Sequence, residues 1–180
     1  MKRISGLLLT AIGLLLVSCG SKELTREDAA RIIQKEMAYP VAVDYDVHRA
    51  VPMQAKIAFD SNLEEEGFIV VQRTQEAKDI GNPLIDFTEK AKPFFLPTSN
   101  EALSDHIQKV KLADEEFVEV TGIKTSDDGK TAVVEYTTAL KNPTPFTGLL
   151  ARQMDRTTRT VKANFALYDD GWRMEKSSEK

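Results

Sequence analysis

The chain has 180 residues, of which 42% are hydrophobic and 29% are charged, and its formal net charge is -4. This composition is typical of a globular protein with one or two small domains, and the acidic balance argues against a nucleic-acid binder, which usually carries basic excess. One cysteine excludes an internal disulfide, and two histidines are too few for a thiolate–imidazole zinc site, so we expect no metal and no other cofactor.

The first 18 residues have the charge and hydropathy order of a secretory signal. Lys2 and Arg3 precede an apolar stretch, residues 4–17, that is shorter than the roughly 20 residues of a membrane-spanning helix. At its end, Leu16-Val17-Ser18-Cys19 resembles the lipobox of bacterial lipoproteins, in which an apolar residue and two smaller ones precede an invariant cysteine. The alternative is a signal anchor in which the cysteine is accidental.

The lipobox resemblance implies that Cys19 is lipidated. Diacylglyceryl transfer to its thiol, cleavage before Cys19 and acylation of the new amino terminus would leave residues 19–23 as a tether between membrane and globule. Two or three acyl chains hold a protein at a membrane effectively permanently. We therefore expect a location in the bacterial cell envelope. The outer membrane is favoured in a Gram-negative bacterium, because Gly20 stands where an aspartate would resemble an inner-membrane retention signal.

Two helices and a strand are predicted in the first part of the globule. Thr25 can cap a helix with acidic residues in its first turn, and an apolar stripe continues to about Met37. Residues 41–47 alternate between apolar and polar over their later part, as strands do. Pro52 suits the first position of a second helix that runs to Leu63.

A short β-hairpin follows, formed by the β-prone residues 68–73 and by residues 83–88. The order of helix, strand, helix and hairpin in residues 24–98 resembles a winged-helix domain. That resemblance would normally suggest DNA, but export and the acidic charge argue against nucleic acid. The same fold can serve as a protein-contact module instead.

Residues 99–180 are predicted to form an antiparallel β-meander. Residues 117–125 and 131–140 flank an Asp-Gly turn, residues 161–167 alternate cleanly, and Trp172 follows a second Asp-Gly turn. A proline-rich stretch separates this half from the first, and whether the two halves share one core is left open. The predicted fold class is α+β.

Motifs that suggest catalysis or ion binding have simpler interpretations. Gly129-Lys130-Thr131 lacks the first glycine of a phosphate loop and precedes a strand, so it predicts a hairpin turn. Glu64-Glu65-Glu66 and Glu115-Glu116 are interpreted as solvated, since adjacent acids in a polar run rarely lose the water that a catalytic pKa requires. His48 and His106 accompany no Gly-x-Ser-x-Gly nucleophile motif, and we interpret both as surface or edge residues.

The connection 142–150 interrupts the meander and contains the candidate contact residues. Its two prolines keep its start out of the sheet. Phe146, Leu149 and Leu150 then have the spacing of one short helical turn. In one alternative this turn packs over a sheet face. In the other its three apolar side chains are an exposed contact for a partner or ligand, because loops held by rigid strands often carry function.

The sequence therefore predicts a membrane-anchored, non-enzymatic binding or scaffold module with a protein partner in the envelope. The alternatives are a carrier of a small ligand or lipid on a curved sheet, and an enzyme or enzyme accessory with an unrecognised site. An exposed apolar patch would favour the binding module. An apolar cavity of about 300 Å³ or more within the meander would favour the carrier. Buried titrating groups in a cleft would favour the enzyme.

Overall fold

The computed structural model describes residues 23–150 and 158–175, which form an α+β fold. Its helices are α1 (Arg26–Glu36), α2 (Pro52–Phe59) and α3 (Asn100–Ser104). Its strands are β1 (Val41–His48), β2 (Ile69–Val71), β3 (Ile85–Phe87), β4 (Ile107–Thr125), β5 (Thr131–Lys141), β6 (Thr158–Tyr168) and β7 (Gly171–Glu175). Short 3-10 helices occupy Ala77–Asp79, Glu89–Phe94 and Pro145–Leu150. Within the described ranges, no helix combines the length and the apolarity needed to cross a membrane.

Five strands form one curled antiparallel sheet in the order β1-β4-β5-β6-β7. The last four follow one another as the predicted meander, and its turns use left-handed backbone at Gly129 and Gly171, with φ of 67° and 127°. β1 pairs with the first part of the long β4, from Val41 opposite Glu115 to His48 opposite Ile107. The two sections of the chain therefore share one sheet.

α1 packs on the second part of the meander. The Asp28 backbone N–H donates to Thr25 Oγ1 at 3.1 Å, which is the predicted N-cap. Ala29 and Ile33, one helical turn apart, have no exposed surface and anchor the helix to the sheet. The α1 cluster consists of the buried residues Leu24, Ala29, Ile33, Val120, Ala132, Val134, Tyr136 and Phe165.

A second apolar cluster, the α2 cluster, covers β1 and the first part of β4. Phe146 lies inside it and meets the rings of Phe68, Phe87 and Phe94 with centroids 5.9, 6.1 and 5.9 Å away. Most of its members come from short strands, turns and 3-10 segments. The α2 cluster consists of the buried residues Val47, Ala55, Ala58, Leu63, Phe68, Ile69, Val71, Ile85, Ala91, Val110, Leu112, Phe146 and Leu149.

The structure bears on the two alternatives for the connection before β6, and its burial contradicts an exposed contact formed by Phe146, Leu149 and Leu150. Phe146 and Leu149 are only 0% and 7% exposed, and Leu150 is half-buried against the same cluster. The hydroxyls of Thr144 and Thr147 each donate to a backbone carbonyl of β4 at 2.6 Å and fix the turn there. Burial of the apolar side chains therefore favours the packing alternative.

Elements of the first section differ in extent from their predictions. α2 ends at Phe59, and Leu63 is buried in the turns that lead to Gly67. β2 and β3 pair as the predicted hairpin but have only three residues each. The element order that resembles a winged helix is present, yet β1 pairs with β4 and not with the hairpin. Val110 and Phe146 complete the α2 cluster, so the boundary near residue 99 does not separate two cores.

Candidate binding site

An open apolar groove lies between α2 and the chain that follows β2, and we call it the α2 groove. Its volume is about 500 Å³. α2 contributes Pro52, Ala55, Lys56 and Phe59, whose spacing places them on one helix face. The opposite wall consists of residues 71–75 and Leu84.

Hydrogen bonds and a ring contact hold the rim of the groove in place. The Phe59 ring is 47% exposed, and the Arg73 guanidinium carbon lies 4.8 Å from its centroid. Arg73 Nη2 donates to Glu64 Oε2 at 2.8 Å, while Glu64 Oε1 accepts the Val71 backbone N–H at 2.9 Å. One carboxylate therefore fixes both the strand end and the cation above the ring, which leaves the rim preorganised.

The charged side chains that line the groove are both cationic. Lys56 and Arg73 contribute these charges, and no carboxylate lines the groove among the described residues. Each cation has an ion-pair partner outside the lining, at 2.7 Å to Asp60 and 2.8 Å to Glu64. The Lys56 and Arg73 side chains are still 70% and 65% exposed, so they can donate to a ligand carboxylate while they keep these partners. The groove therefore suits an apolar group accompanied by a negative charge.

A second groove of similar volume, about 500 Å³, lies between α1 and the turn that joins β6 to β7. Its charges largely satisfy one another. Arg31 pairs with Asp28 at 2.6 Å, and Arg173, at the adjoining end, pairs with Asp170 at 2.5 Å. Four carboxylates also line this groove, those of Glu23, Asp28, Asp169 and Asp170, so it offers a ligand less apolar surface than the α2 groove.

Polar side chains cross the sheet between the α1 and α2 clusters. Phe117 pairs with Thr138 and Thr138 with Arg159, so their side chains share one sheet face, and Glu115 lies on that face two residues before Phe117. Thr138 Oγ1 donates to Glu115 Oε1 at 2.6 Å. The central polar row consists of Tyr39, Glu115, Tyr136, Thr138 and Arg159.

The hydroxyl of Tyr39 is surrounded by other members of the central polar row. It lies 3.5 Å from the Tyr136 hydroxyl. Burial raises the pKa of the Tyr39 phenol above its usual value, and the Tyr136 hydroxyl and the Glu115 carboxylate raise it further, while the Arg159 guanidinium opposes them. Both charges therefore act on one phenol.

Other shifted pKa values belong to local hydrogen bonds and ion pairs elsewhere. Hydrogen bonding to Lys111 lowers the pKa of Asp114, and hydrogen bonding to Asp44 raises that of Lys109. Among the residues described, no group of three or more His, Cys, Asp and Glu side chains is arranged to hold a metal ion.

The residues singled out by the sequence analysis do not come together at one site. Cys19 lies outside the described residues. Glu64 has a structural role at the groove rim. The interpretation of Glu115 as solvated is wrong, because β1 and β5 flank it and its carboxylate bonds the buried Thr138. His48 is exposed at a strand end.

Sequence reasoning did not identify Phe59 or Arg73 as site residues. A signal was available in α2, which has more apolar residues than one face can bury. Ala55 and Ala58 are buried, whereas Met53 and Phe59 remain 65% and 47% exposed. An apolar helix flank without cover is a recognised mark of an interaction surface.

The chain matches no protein-family model, and no significantly similar curated protein or solved structure was found. A fold alone would not define a function in any case, because unrelated activities share folds. The α2 groove and the central polar row are thus the physical basis for a functional proposal.

Proposed function

We propose that the protein is a membrane-anchored envelope lipoprotein whose globular part binds a partner protein through the α2 groove. The observation that carries the proposal is the preorganised apolar groove with the exposed Phe59 ring at its rim. The proposed occupant is a partner segment with an apolar side chain next to an acidic residue. The apolar side chain fills the groove, and the carboxylate meets Lys56 and Arg73.

The fixed position of Arg73 over the Phe59 ring indicates that the exposed ring belongs to a binding site. A ligand that enters the groove does not have to order Arg73, because Glu64 already holds it over Phe59. Aromatic and arginine side chains are also the residues that most often dominate binding energy at interfaces. The α2 groove therefore combines the residue types and the rigidity of a binding hot spot.

The carrier alternative has less support. α1 packs on the meander where a carrier would keep a cavity, and its Ile33 is completely buried there against the α1 cluster. The enzyme alternative would need buried titrating groups in a cleft. The charged groups that line the α2 groove, Lys56 and Arg73, are exposed instead. A non-enzymatic binding module accounts best for these observations.

Site-specific photocrosslinking in the intact, membrane-attached protein tests the proposal. A benzophenone amino acid at the exposed groove residue Thr74 is expected to give one discrete protein adduct. The same probe at Val133, an exposed apolar residue of β5, is the control and should give none. Phe59→Asp should abolish the Thr74 adduct.

Val70→Asp is the matched control for Phe59→Asp. Val70 is 52% exposed, and it neighbours Val71 in β2 without lining the groove. The Thr74 adduct should persist in this variant. Equal loss of the adduct in both variants, or adducts at Thr74 and Val133 alike, would contradict a specific groove interaction.

The anchor is tested separately at Cys19. Cys19→Ala should leave an uncleaved or soluble species and should no longer incorporate radiolabelled fatty acid. If the variant still takes up label and fractionates with membrane, lipidation at this position is wrong. The groove proposal is unaffected by that result, because the crosslinking readout depends on Thr74 and Phe59.

A further inference from the structure

The central polar row contains two opposite charges that do not pair with each other. Glu115 and Arg159 flank Thr138 on neighbouring strands, but no ion pair within the described ranges includes either of them. Thr138 occupies one carboxylate oxygen of Glu115, and Oε2 keeps its acceptor capacity. The row therefore presents an anionic group on β4 and a cationic group on β6, on either side of Thr138.

Partial burial makes the Glu115 carboxylate a stronger binding group than an ordinary surface charge. Glu115 is half-buried and Thr138 has no exposed surface, so the carboxylate has lost part of its water without gaining an ion pair. Arg159 is exposed and provides an open side to the row. A charged ligand group that donates a hydrogen bond to the Glu115 carboxylate would replace the water contacts that burial removed.

Aromatic side chains and a further hydroxyl complete the surroundings. The Phe117 and Tyr136 rings stack with centroids 5.9 Å apart and an interplanar angle of 27°. The Tyr39 hydroxyl lies 3.5 Å from that of Tyr136. Phenol groups can donate to an anion and accept from an ammonium, so Tyr39 suits either end of a ligand with two charges.

We propose that the central polar row binds a small zwitterion that carries a primary ammonium close to a carboxylate or phosphate group. The ammonium donates to Glu115 and the anionic group accepts from Arg159, and the Tyr39 hydroxyl beside Tyr136 offers a further hydrogen bond. A ligand with both charges satisfies the row completely, whereas an amine or an anion alone leaves one protein charge without a partner. This site is separate from the α2 groove and does not depend on it.

Calorimetric titration of the full lipidated protein in a neutral maltoside detergent tests the proposal with three probes. Phosphoethanolamine has both an ammonium and a phosphate group, while ethanolamine has only the ammonium and methyl phosphate only the phosphate. Phosphoethanolamine should bind about tenfold or more tightly than either half, since each added charged hydrogen bond has an effect of this order. Binding no tighter than that of the halves would overturn the proposal.

Variants that neutralise one charge at a time show which ligand group each residue binds. Glu115→Gln should weaken ethanolamine binding about tenfold and leave methyl phosphate unchanged, and Arg159→Gln should do the opposite. The side-chain amide oxygen in the Glu115→Gln variant can still accept from Thr138, so the fold is expected to persist, and an unchanged melting temperature checks this. The controls are Glu119→Gln and Lys162→Gln, which alter exposed charges of the same strands and should change neither affinity.

The same chemistry exists in free solutes and in lipid headgroups, and competition distinguishes them. Nanodiscs with phosphatidylethanolamine displace phosphoethanolamine if the row accepts the headgroup, whereas discs of phosphatidylglycerol alone should not. Displacement supports the headgroup as the source, and its absence with intact phosphoethanolamine binding supports a free solute. Equal displacement by both kinds of disc would overturn zwitterion recognition.

Discussion

The α1 and α2 clusters lie along the same strand, β4, but they are built in different ways. The α1 cluster joins a regular helix to alternating strand residues, as Ile33 and Val134 illustrate. The α2 cluster collects phenylalanine rings from turns and 3-10 segments, as Phe94 and Phe146 illustrate. Regular helix and strand residues therefore form the α1 cluster, whereas irregular connections supply much of the α2 cluster.

The two regions also differ in what they leave uncovered. α1 buries Ala29 and Ile33, and its other apolar residues, Ala30 and Ile32, pack half-buried against the same cluster. α2 buries Ala55 and Ala58 but leaves the Phe59 ring at the groove rim. Irregular packing thus provides both a second core and the apolar surface from which the binding function is proposed.

The largest expected effect comes from removing the central ring of the α2 cluster. Phe146→Ala should lower the free energy of unfolding by about 3–5 kcal/mol, because the completely buried ring contacts three others and leaves a cavity. Chemical denaturation of the purified protein measures the loss. Val133→Ala, at a site 39% exposed, is the control and should change stability by less than about 0.5 kcal/mol. A loss below about 1 kcal/mol for Phe146→Ala would contradict the packing role.

A smaller substitution tests whether the clusters act separately. Ile33→Val should cost about 0.5–1.5 kcal/mol, since it removes one methylene from the α1 cluster. Combined with Phe146→Ala, the losses should add within about 0.5 kcal/mol, because the residues belong to different clusters and share no partner. Denaturation of the two single variants and the double variant gives the coupling energy. A coupling above about 1 kcal/mol would mean that the clusters behave as one core.

Periodic elements could be predicted from the sequence, and the reasons are local. Thr25 and the apolar stripe after it define α1, and the alternation before and after Gly129 and Gly171 defines the meander turns. These patterns depend only on neighbours in the chain. For that reason the α+β fold class and the C-terminal meander are confirmed.

Long-range pairing could not be predicted in the same way. β1 pairs with β4 although residues 49–106 lie between the two strands, and neither strand contains a local mark of its partner. The burial of Phe146 likewise depends on rings from three distant segments. Glu115 was misinterpreted for the same reason, since its surroundings come from β1 and β5. The candidate sites therefore emerge only from the folded chain.

The smallest effect at neutral pH is expected at Tyr39, which packs half-buried against the α1 cluster. Tyr39→Phe removes a hydroxyl that lies 3.5 Å from Tyr136, a long contact, so the loss of stability near pH 7 should stay below about 1 kcal/mol. The variant should instead change the response to alkali. Burial raises the pKa of Tyr39 in the folded chain, so the phenol stays protonated at a pH where the unfolded chain has already released its proton.

The direction of this alkaline effect follows from proton linkage. Above about pH 10 the unfolded state binds fewer protons than the folded state, so the stability associated with neutral Tyr39 is complete below that pH and falls as the pH rises. Tyr39→Phe lacks this loss, and its denaturation midpoint should decline less than that of the natural chain between about pH 9 and 12. The hydrogen bond to Glu175 also raises the pKa of Tyr168, but this residue is present in both proteins and cancels in the comparison. Parallel pH profiles would show that Tyr39 is not shielded in the folded chain, whereas a smaller decline in the variant would show that a neutral phenol is buried against the α1 cluster.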